Sequence, residues 1–407
     1  METLHSLGFG FSVVLQPTNL LYCFVGVLMG TLVGVLPGLG PAATISLLLP
    51  TIFHAPPVSS MIMLSGICYG AMYGGSTTSI LLNIPGEVAS VVTCLDGYQM
   101  AKKGRAGPAL GIAAFGSFIA GTFGVIGLML LAPTLANFAL RFGPPEYFSL
   151  ALMSMSLVTY VGKGSVVRGL MMACLGLAMS TVGMDPISSR TRFTFGSPAL
   201  LDGFEIVYVT MGLFGLSEVL SNLAQPLEKV TFTTTDTRVS NLFPDRQDWK
   251  DSALPIARGT LIGFFLGLLP GLGGALTTFI SYAVEKKFSK HPEKFGTGVI
   301  EGVAGPESAN NAASSGTFIP LLGLGIPANP STSILLGALL IMGFQPGPML
   351  ISSKPDLFWG LIASMYMGNV MLLVLNLPLI GLWVQVLKIP YSILYVLIVV
   401  FCEIGAY

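Results

Sequence analysis

A chain of 407 residues that is 53% hydrophobic and only 9% charged cannot offer water the polar surface of an ordinary globular protein, in which roughly a quarter of residues are charged. Its 19 basic and 19 acidic residues cancel to zero net charge, which argues against a nucleic-acid partner. With the lipid bilayer as its solvent, the chain reads as an all-α polytopic membrane protein.

Residues 3–86 contain no Asp, Glu, Lys or Arg, and at ~20 residues per crossing that run alone accommodates two or three spans. Met1-Glu2-Thr3 lacks the basic start of a cleaved signal peptide, so the first apolar segment is expected to be retained. The first crossing is expected from about Asn19 to Leu36. It carries Gly26, Gly30 and Gly34 four residues apart and ends in Leu36-Pro37-Gly38-Leu39-Gly40. Glycines at that spacing make a smooth stripe that lets another backbone approach, and the Pro-Gly end removes a donor and stops the helix inside apolar surroundings. A second apolar stretch, Ala42 to Phe53, ends at the turn His54-Ala55-Pro56-Pro57, and a third, Met61 to Leu82, reads as interrupted at Tyr73 to Ser79. Asn83-Ile84-Pro85-Gly86-Glu87 is a further helix stop, followed by a more polar stretch through Asp96 to Arg105 and a long charge-free crossing over residues 106–140.

Three more spans are expected at Glu146 to Val161, Val166 to Val182 and Phe204 to Leu220, and residues 222–252 form a hydrophilic linker. Beyond it the chain repeats itself. Gly259, Gly263 and Gly267 lead into Leu269-Pro270-Gly271-Leu272-Gly273, Gly325-Ile326-Pro327-Ala328 stands where Asn83-Ile84-Pro85-Gly86 stood, and Gly347-Pro348 echoes Gly107-Pro108. The expected organisation is a first membrane repeat over 1–140, connecting helices over 141–221, the linker, and a second repeat over 253–407.

Basic residues orient the repeats, because short cytoplasmic loops keep them. Residues 41–60 have none, while the corresponding second-half loop carries Lys286, Lys287, Lys290 and Lys294; the later loops reverse this, with Lys102, Lys103 and Arg105 in the first half and none between Ile341 and Ser353. The two repeats are therefore expected to be inverted in topology, with broken or re-entrant helices, an arrangement that places binding sites at the repeat interface.

The candidate site lies in two polar clusters at the helix breaks: Ser76, Thr77, Thr78 and Asn83 in the first half, and Asn310, Asn311, Ser314, Ser315 and Asn329 in the second. The breaks themselves, Pro37, Gly38, Gly40, Pro85, Gly86, Pro270, Gly271, Gly273 and Pro327, complete it. Half-helix N-termini with neutral donors suit a carboxylate or phosphate, and unwound carbonyls suit Na⁺; the competing reading is that Ser, Thr and Gly only let membrane helices pack. Glu87, Asp96, Glu301 and Glu307 either take up protons or cations or cap helix ends. The five cysteines and three histidines show no metal-binding spacing. No nucleophile motif or phosphate loop indicates an enzyme; a passive channel for small organic anions is the alternative to a carrier.

With both Leu-Pro-Gly-Leu-Gly strings, Tyr73-Gly74-Gly75-Ser76-Thr77-Thr78-Ser79-Ile80-Leu81-Leu82-Asn83-Ile84-Pro85-Gly86-Glu87, Asp96-Gly97-Tyr98, Arg192-Phe193-Thr194-Phe195-Gly196 and Ala309-Asn310-Asn311-Ala312-Ala313 in view, the whole chain closely resembles the TctA family. That family supplies the large membrane subunit of bacterial tripartite tricarboxylate transporters. The resemblance implies an inner-membrane importer of di- or tricarboxylates coupled to Na⁺ or H⁺, with no other cofactor. It also implies two partners, a small four-helix membrane subunit (TctB-like) and a periplasmic substrate-binding protein (TctC-like). Family members usually carry glycine after the second Ile-Pro, where this chain has Ala328, and normally continue for roughly two or three membrane segments beyond the motif at Phe401 to Tyr407.

Overall fold

The structure is a computed structural model and describes residues 2–36, 40–50, 55–161, 165–185, 190–204, isolated positions between 209 and 220, 241–272 and 274–386. Pro37, Gly38, Gly273, most of the expected 204–220 span and most of the linker lie outside the described residues. The elements are almost all helices. The first half contains α1 (Glu2–Val14), α2 (Pro17–Val35), α3 (Pro41–Leu48), α4 (Pro57–Leu82), α5 (Val91–Lys102) and α6 (Ala106–Ala139). After α7 (Pro144–Val161), α8 (Val166–Ser180) and one two-residue β-pairing, Gly183–Met184 with Thr191–Arg192, the second half contains α9 (Arg246–Gly267), α10 (Ala275–Phe288), α11 (Glu301–Gly316), α12 (Phe318–Leu324), α13 (Pro330–Ile341), α14 (Leu350–Ser353), α15 (Pro355–Asn376) and α16 (Ile380–Val386). Among the described residues α2, α6 and α15 are long and apolar enough to cross a membrane.

Each glycine-striped helix packs on the polar-cluster helix of its own half, α2 on α4 and α9 on α11. A Cβ at Gly26, Gly30 or Gly34 would meet the backbone of Met63, Ile67 or Ala71, and one at Gly259, Gly263 or Gly267 would meet that of Gly305, Ala309 or Ala313. The second set of partners stands 242 residues after the first, the same separation that carries Asn83 onto Gly325. Local structure repeats there as well: α4 ends at Asn83 with φ 61° and α12 at Gly325 with φ 72°, both left-handed. An Ile-Pro turn follows each cap, and then a capping box, Glu87 with Ser90 and Asn329 with Thr332, starts the next helix.

Between halves the packing is reciprocal. The long helix α6 of the first half lies on α11, and its counterpart α15 lies on α4; α3 packs on α13, and α10 on α5. The core sits around α4, which is buried from Ser59 to Leu82 apart from Met72.

Two expectations change. The expected interruption at Tyr73 to Ser79 is absent: α4 runs unbroken through it, Ser76 and Ser79 hiding their hydroxyls on the carbonyls of Met72 and Gly75 while Gly74 lies against α2. Two adjacent glycines alone do not stop a helix whose neighbours enclose it. In addition, α9 begins at Arg246, inside the hydrophilic stretch read as linker, with Asp245 and Asp248 forming a capping box.

Candidate functional site

The two halves meet through side chains of α4, α5 and α11. Glu307, 1% exposed on α11, accepts hydrogen bonds from Ser76 of α4 (Oγ to Oε2, 2.5 Å) and from Thr93 of α5. One turn along α11, Asn310 Nδ2 donates to Glu87 Oε1 at 2.7 Å, and Asn311 Nδ2 donates to Ser117 Oγ of α6 at 2.6 Å. Ser315 Oγ reaches the carbonyl of Gly121 at 3.4 Å. Tyr73 OH of α4 donates to Asn369 Oδ1 of α15 at 2.6 Å, and Asn369 Nδ2 reaches the Phe118 carbonyl and Thr122 Oγ1, both at 2.9 Å. No Lys, Arg or His among the described residues forms an ion pair with Glu87 or Glu307.

This network joins Ser76, Asn310, Asn311 and Ser315 from the two expected clusters, and Thr77 is buried beside Ser76 and Ser117. The remaining candidates are elsewhere. Thr78 Oγ1 donates to the Val35 carbonyl at 2.6 Å, which ties α4 to α2; Asn83 is exposed at its cap; Ser314 is half-buried; and Asn329 serves as the cap of α13. In the second half the two breaks meet, with Gly271 N–H donating to the Ala328 carbonyl at 2.9 Å, and in the first half Gly86 lies against the Gly34 carbonyl in the last turn of α2. A Cβ at Gly86 would come within 2.1 Å of that oxygen, so the first turn needs glycine, whereas the second buries the Ala328 methyl group. Gly40 and Pro85 flank these turns half-buried, as does Pro327. Pro270 lines a separate cavity of about 530 Å³, walled mostly by apolar side chains such as Leu135, Phe138 and Ile319, which suits no carboxylate.

Sequence reasoning passed over Tyr73, Thr93, Ser117, Asn369 and Asn376, single polar side chains set in otherwise unremarkable stretches. The cost of an amide in a membrane helix was the signal available for the two asparagines. In this conformation the polar groups largely satisfy one another, the buried Asn376 Oδ1 being an exception, and the voids among them are about 10 Å³ each, far short of the hundreds of Å³ that an organic ligand occupies.

A second charged centre joins the halves at the basic loops. Asp96 of α5 is fully buried and accepts the N–H groups of Gly296, Gly298 and Val299 at 2.7–3.0 Å and the Tyr282 hydroxyl at 2.8 Å. Gly296 and Gly298, with φ 87° and 102°, curl the loop so that successive N–H groups converge as an anion nest. Lys103 Nζ donates to the Thr297 carbonyl at 2.6 Å, and Arg105 pairs with Asp248.

An α-helical membrane protein with a polar network buried where two like halves interlock has the architecture of many transporters. The family described as "Tripartite tricarboxylate transporter TctA family" matches residues 20–407, and the chain belongs to it, as the membrane component of tricarboxylate transporters. A protein of Agrobacterium vitis described as an uncharacterized 52.8 kDa protein in TAR-I ttuC' 3'region is 53% identical over 407 residues, covering 100% of this chain and 80% of that protein. A second from the same organism, described as an uncharacterized protein in TAR-II ttuC' 3'region, is 59% identical over 145 residues, covering 36% of this chain and 60% of that protein. No solved structure matches.

Proposed function

We propose that the chain is the large subunit of a cation-coupled, binding-protein-dependent secondary transporter that imports di- or tricarboxylates across the bacterial inner membrane, working with a small four-helix membrane subunit and a periplasmic substrate-binding protein. The observation that carries the reading is the pair of carboxylates, Glu87 from the first half and Glu307 from the second, held by neutral donors where the halves interlock. A carboxylate in such surroundings is costly without a proton or a cation, so its charge state and the packing of the halves are coupled. Ser76 has two acceptors in reach, Glu307 Oε2 at 2.5 Å and the Met72 carbonyl at 3.2 Å, and can follow either state of the carboxyl group. The single-water size of the voids favours a carrier over an open channel.

Proteoliposomes holding the chain and both partners should accumulate a labelled di- or tricarboxylate against its gradient, and the accumulation should collapse with the Na⁺ or H⁺ gradient. Glu307→Gln should reduce accumulation to background at unchanged expression. Downhill flux that never accumulates and ignores Glu307→Gln would make the protein a channel.

Inverted topology is part of the same proposal. Its support is that the basic loops around residues 102–105 and 289–298, which occupy non-corresponding places in the two halves, lie side by side through Lys103 and Thr297. Single cysteines at Ala55 or Pro346 should react from one side of the membrane, and at Lys103 or Lys290 from the other, in a background without the five native cysteines. Reaction of positions 55 and 290 from the same side would refute it.

A further inference from the structure

We infer that the outward face of the α9–α10 hairpin is a binding site for an anionic phospholipid, whose acyl chains lie on two apolar stripes and whose phosphate is met by Lys250, Lys286 and Lys287 at one end of them. The site needs only that the chain lies in a membrane, whether or not it transports. In α10 every buried residue is polar, Thr277, Thr278, Ser281 and Glu285, whereas Leu276, Phe279 and Ala283, three or four residues apart, are exposed. A helix that is polar inward and apolar outward reverses the pattern of one that faces water, so its outer face meets acyl chains. Helix α9 packs beside it with a stripe of the same kind, Leu254, Ala257, Leu261 and Phe265, all exposed.

Both stripes end in lysine at the same end of the hairpin. Lys250 stands one turn before Leu254, and Lys286 and Lys287 stand one turn after Ala283, all three exposed. Arg258 of α9 donates to Glu285 of α10, Nε to Oε1 at 2.9 Å, which sets these ends level and neutralises the guanidinium. The lysines have no such partner. Among the described residues none of Lys250, Lys286, Lys287, Lys290 and Lys294 forms an ion pair; Asp251, beside Lys250, accepts from Gln247, and Glu293, the one acid between residues 286 and 298, lies against His291. Lys103 of the first half, bonded to the Thr297 carbonyl, adds a further cation to this end. The corresponding first-half loop, residues 41–60, has no basic residue. Lysines placed where a lipid-facing apolar surface stops lie at the level of the phosphates, and each is worth about fivefold in local preference for an anionic lipid. A zwitterionic headgroup brings its own ammonium among the lysines, whereas a net negative one balances them.

The test is quenching of a tryptophan introduced on the stripe, Phe279→Trp, by brominated phosphatidylglycerol or brominated phosphatidylcholine in proteoliposomes of the purified chain. Val374→Trp, at an exposed position of α15, is the reference, and the unsubstituted chain gives the background of the three native tryptophans. A preference for phosphatidylglycerol of at least about tenfold is expected at position 279, and one close to unity at position 374. Lys286→Gln together with Lys287→Gln should cut the preference at position 279 to below about threefold, and 1 M salt, with a Debye length of about 3 Å, should erode it in the same way. Lys354→Gln, an exposed lysine outside the hairpin, should leave it unchanged. All of these side chains are exposed, so size-exclusion profiles should match that of the unsubstituted chain. Equal quenching by the two lipids at position 279, or a tenfold preference that survives loss of both lysines, would overturn the inference. Equal quenching together with lysine-dependent binding of polyglutamate in phosphatidylcholine vesicles would also overturn it and assign the lysines to an acidic protein. No substrate enters the measurement: a chain that never accumulates carboxylate leaves the lipid site standing, and equal quenching leaves the carrier standing.

Discussion

Leucine at Gly34 or at Gly267 is expected to leave no folded protein in the membrane. A Cβ at Gly34 would lie 2.2 Å from the Ala71 carbonyl oxygen, and one at Gly267 would lie 2.5 Å from that of Ala313. Both obstacles are backbone, which cannot rotate aside as a side chain can, so α2 must part from α4, or α9 from α11, along their length. The penalty exceeds the ~1–3 kcal/mol of ordinary overpacking, because it removes close helix contact that has no hydrophobic substitute in lipid. Gly8 of α1 is the control: nothing lies within 4 Å of its Cβ position, and Gly8→Ala should stabilise its helix by up to ~1 kcal/mol. Yield and the monodisperse fraction in size-exclusion chromatography report the outcome, and wild-type values for either leucine variant would show that the stripe is tolerated rather than used.

The second large effect concerns Asp96. Its carboxylate accepts from three backbone N–H groups and one hydroxyl, all from the other half of the chain, and hydrogen bonds to a charged group are worth ~1.5–3 kcal/mol each. Asp96→Asn sets an NH₂ group against the Gly296 donor, and a loss of ~3–5 kcal/mol is expected, in line with removing one partner of a buried charged contact. Gly302→Ala attacks the same contact from the opposite side, since its Cβ would come within 2.3 Å of Asp96 Oδ2. Both variants should raise amide hydrogen exchange at residues 296–299 and speed tryptic cleavage at Lys290 and Lys294. Unchanged exchange in both would mean that the loop holds its shape without the carboxylate.

Much of this architecture is legible from residue spacing. The stripes at Gly26 to Gly34 and Gly259 to Gly267 announce close helix pairs because few other arrangements repay a glycine every fourth residue in a helix. The partner surface was harder to read. Met63 and Ile67 give no small-residue signal; the signal lies beside them, in Gly66, Gly70 and Gly74, which face α2, and in Gly305, Ala309 and Ala313 of the second half, all small. The candidate clusters were legible as polar groups in apolar runs, and Ser76, Asn310, Asn311 and Ser315 do meet across the halves. Which carboxylate each would face was not, because Glu307 stands 231 residues from Ser76 and 214 from Thr93. Asn83 shows that one residue type answers to two demands: its polarity suggests a site, and its position takes a left-handed φ, which asparagine tolerates better than most residues.

The repeat is not perfectly even. The glycine stripes stand 233 residues apart and their partners 242, so the second half holds nine more residues between Gly267 and Gly305. That span carries the loop that wraps Asp96, and the corresponding first-half span is nine residues shorter. On the inverted arrangement proposed above, the two faces of the molecule would then differ in how firmly they are shut. A contact worth ~3 kcal/mol biases a two-state equilibrium by more than a hundredfold. In a carrier that opens on that side, any ligand that opens it would have to bind the open form better by at least that margin.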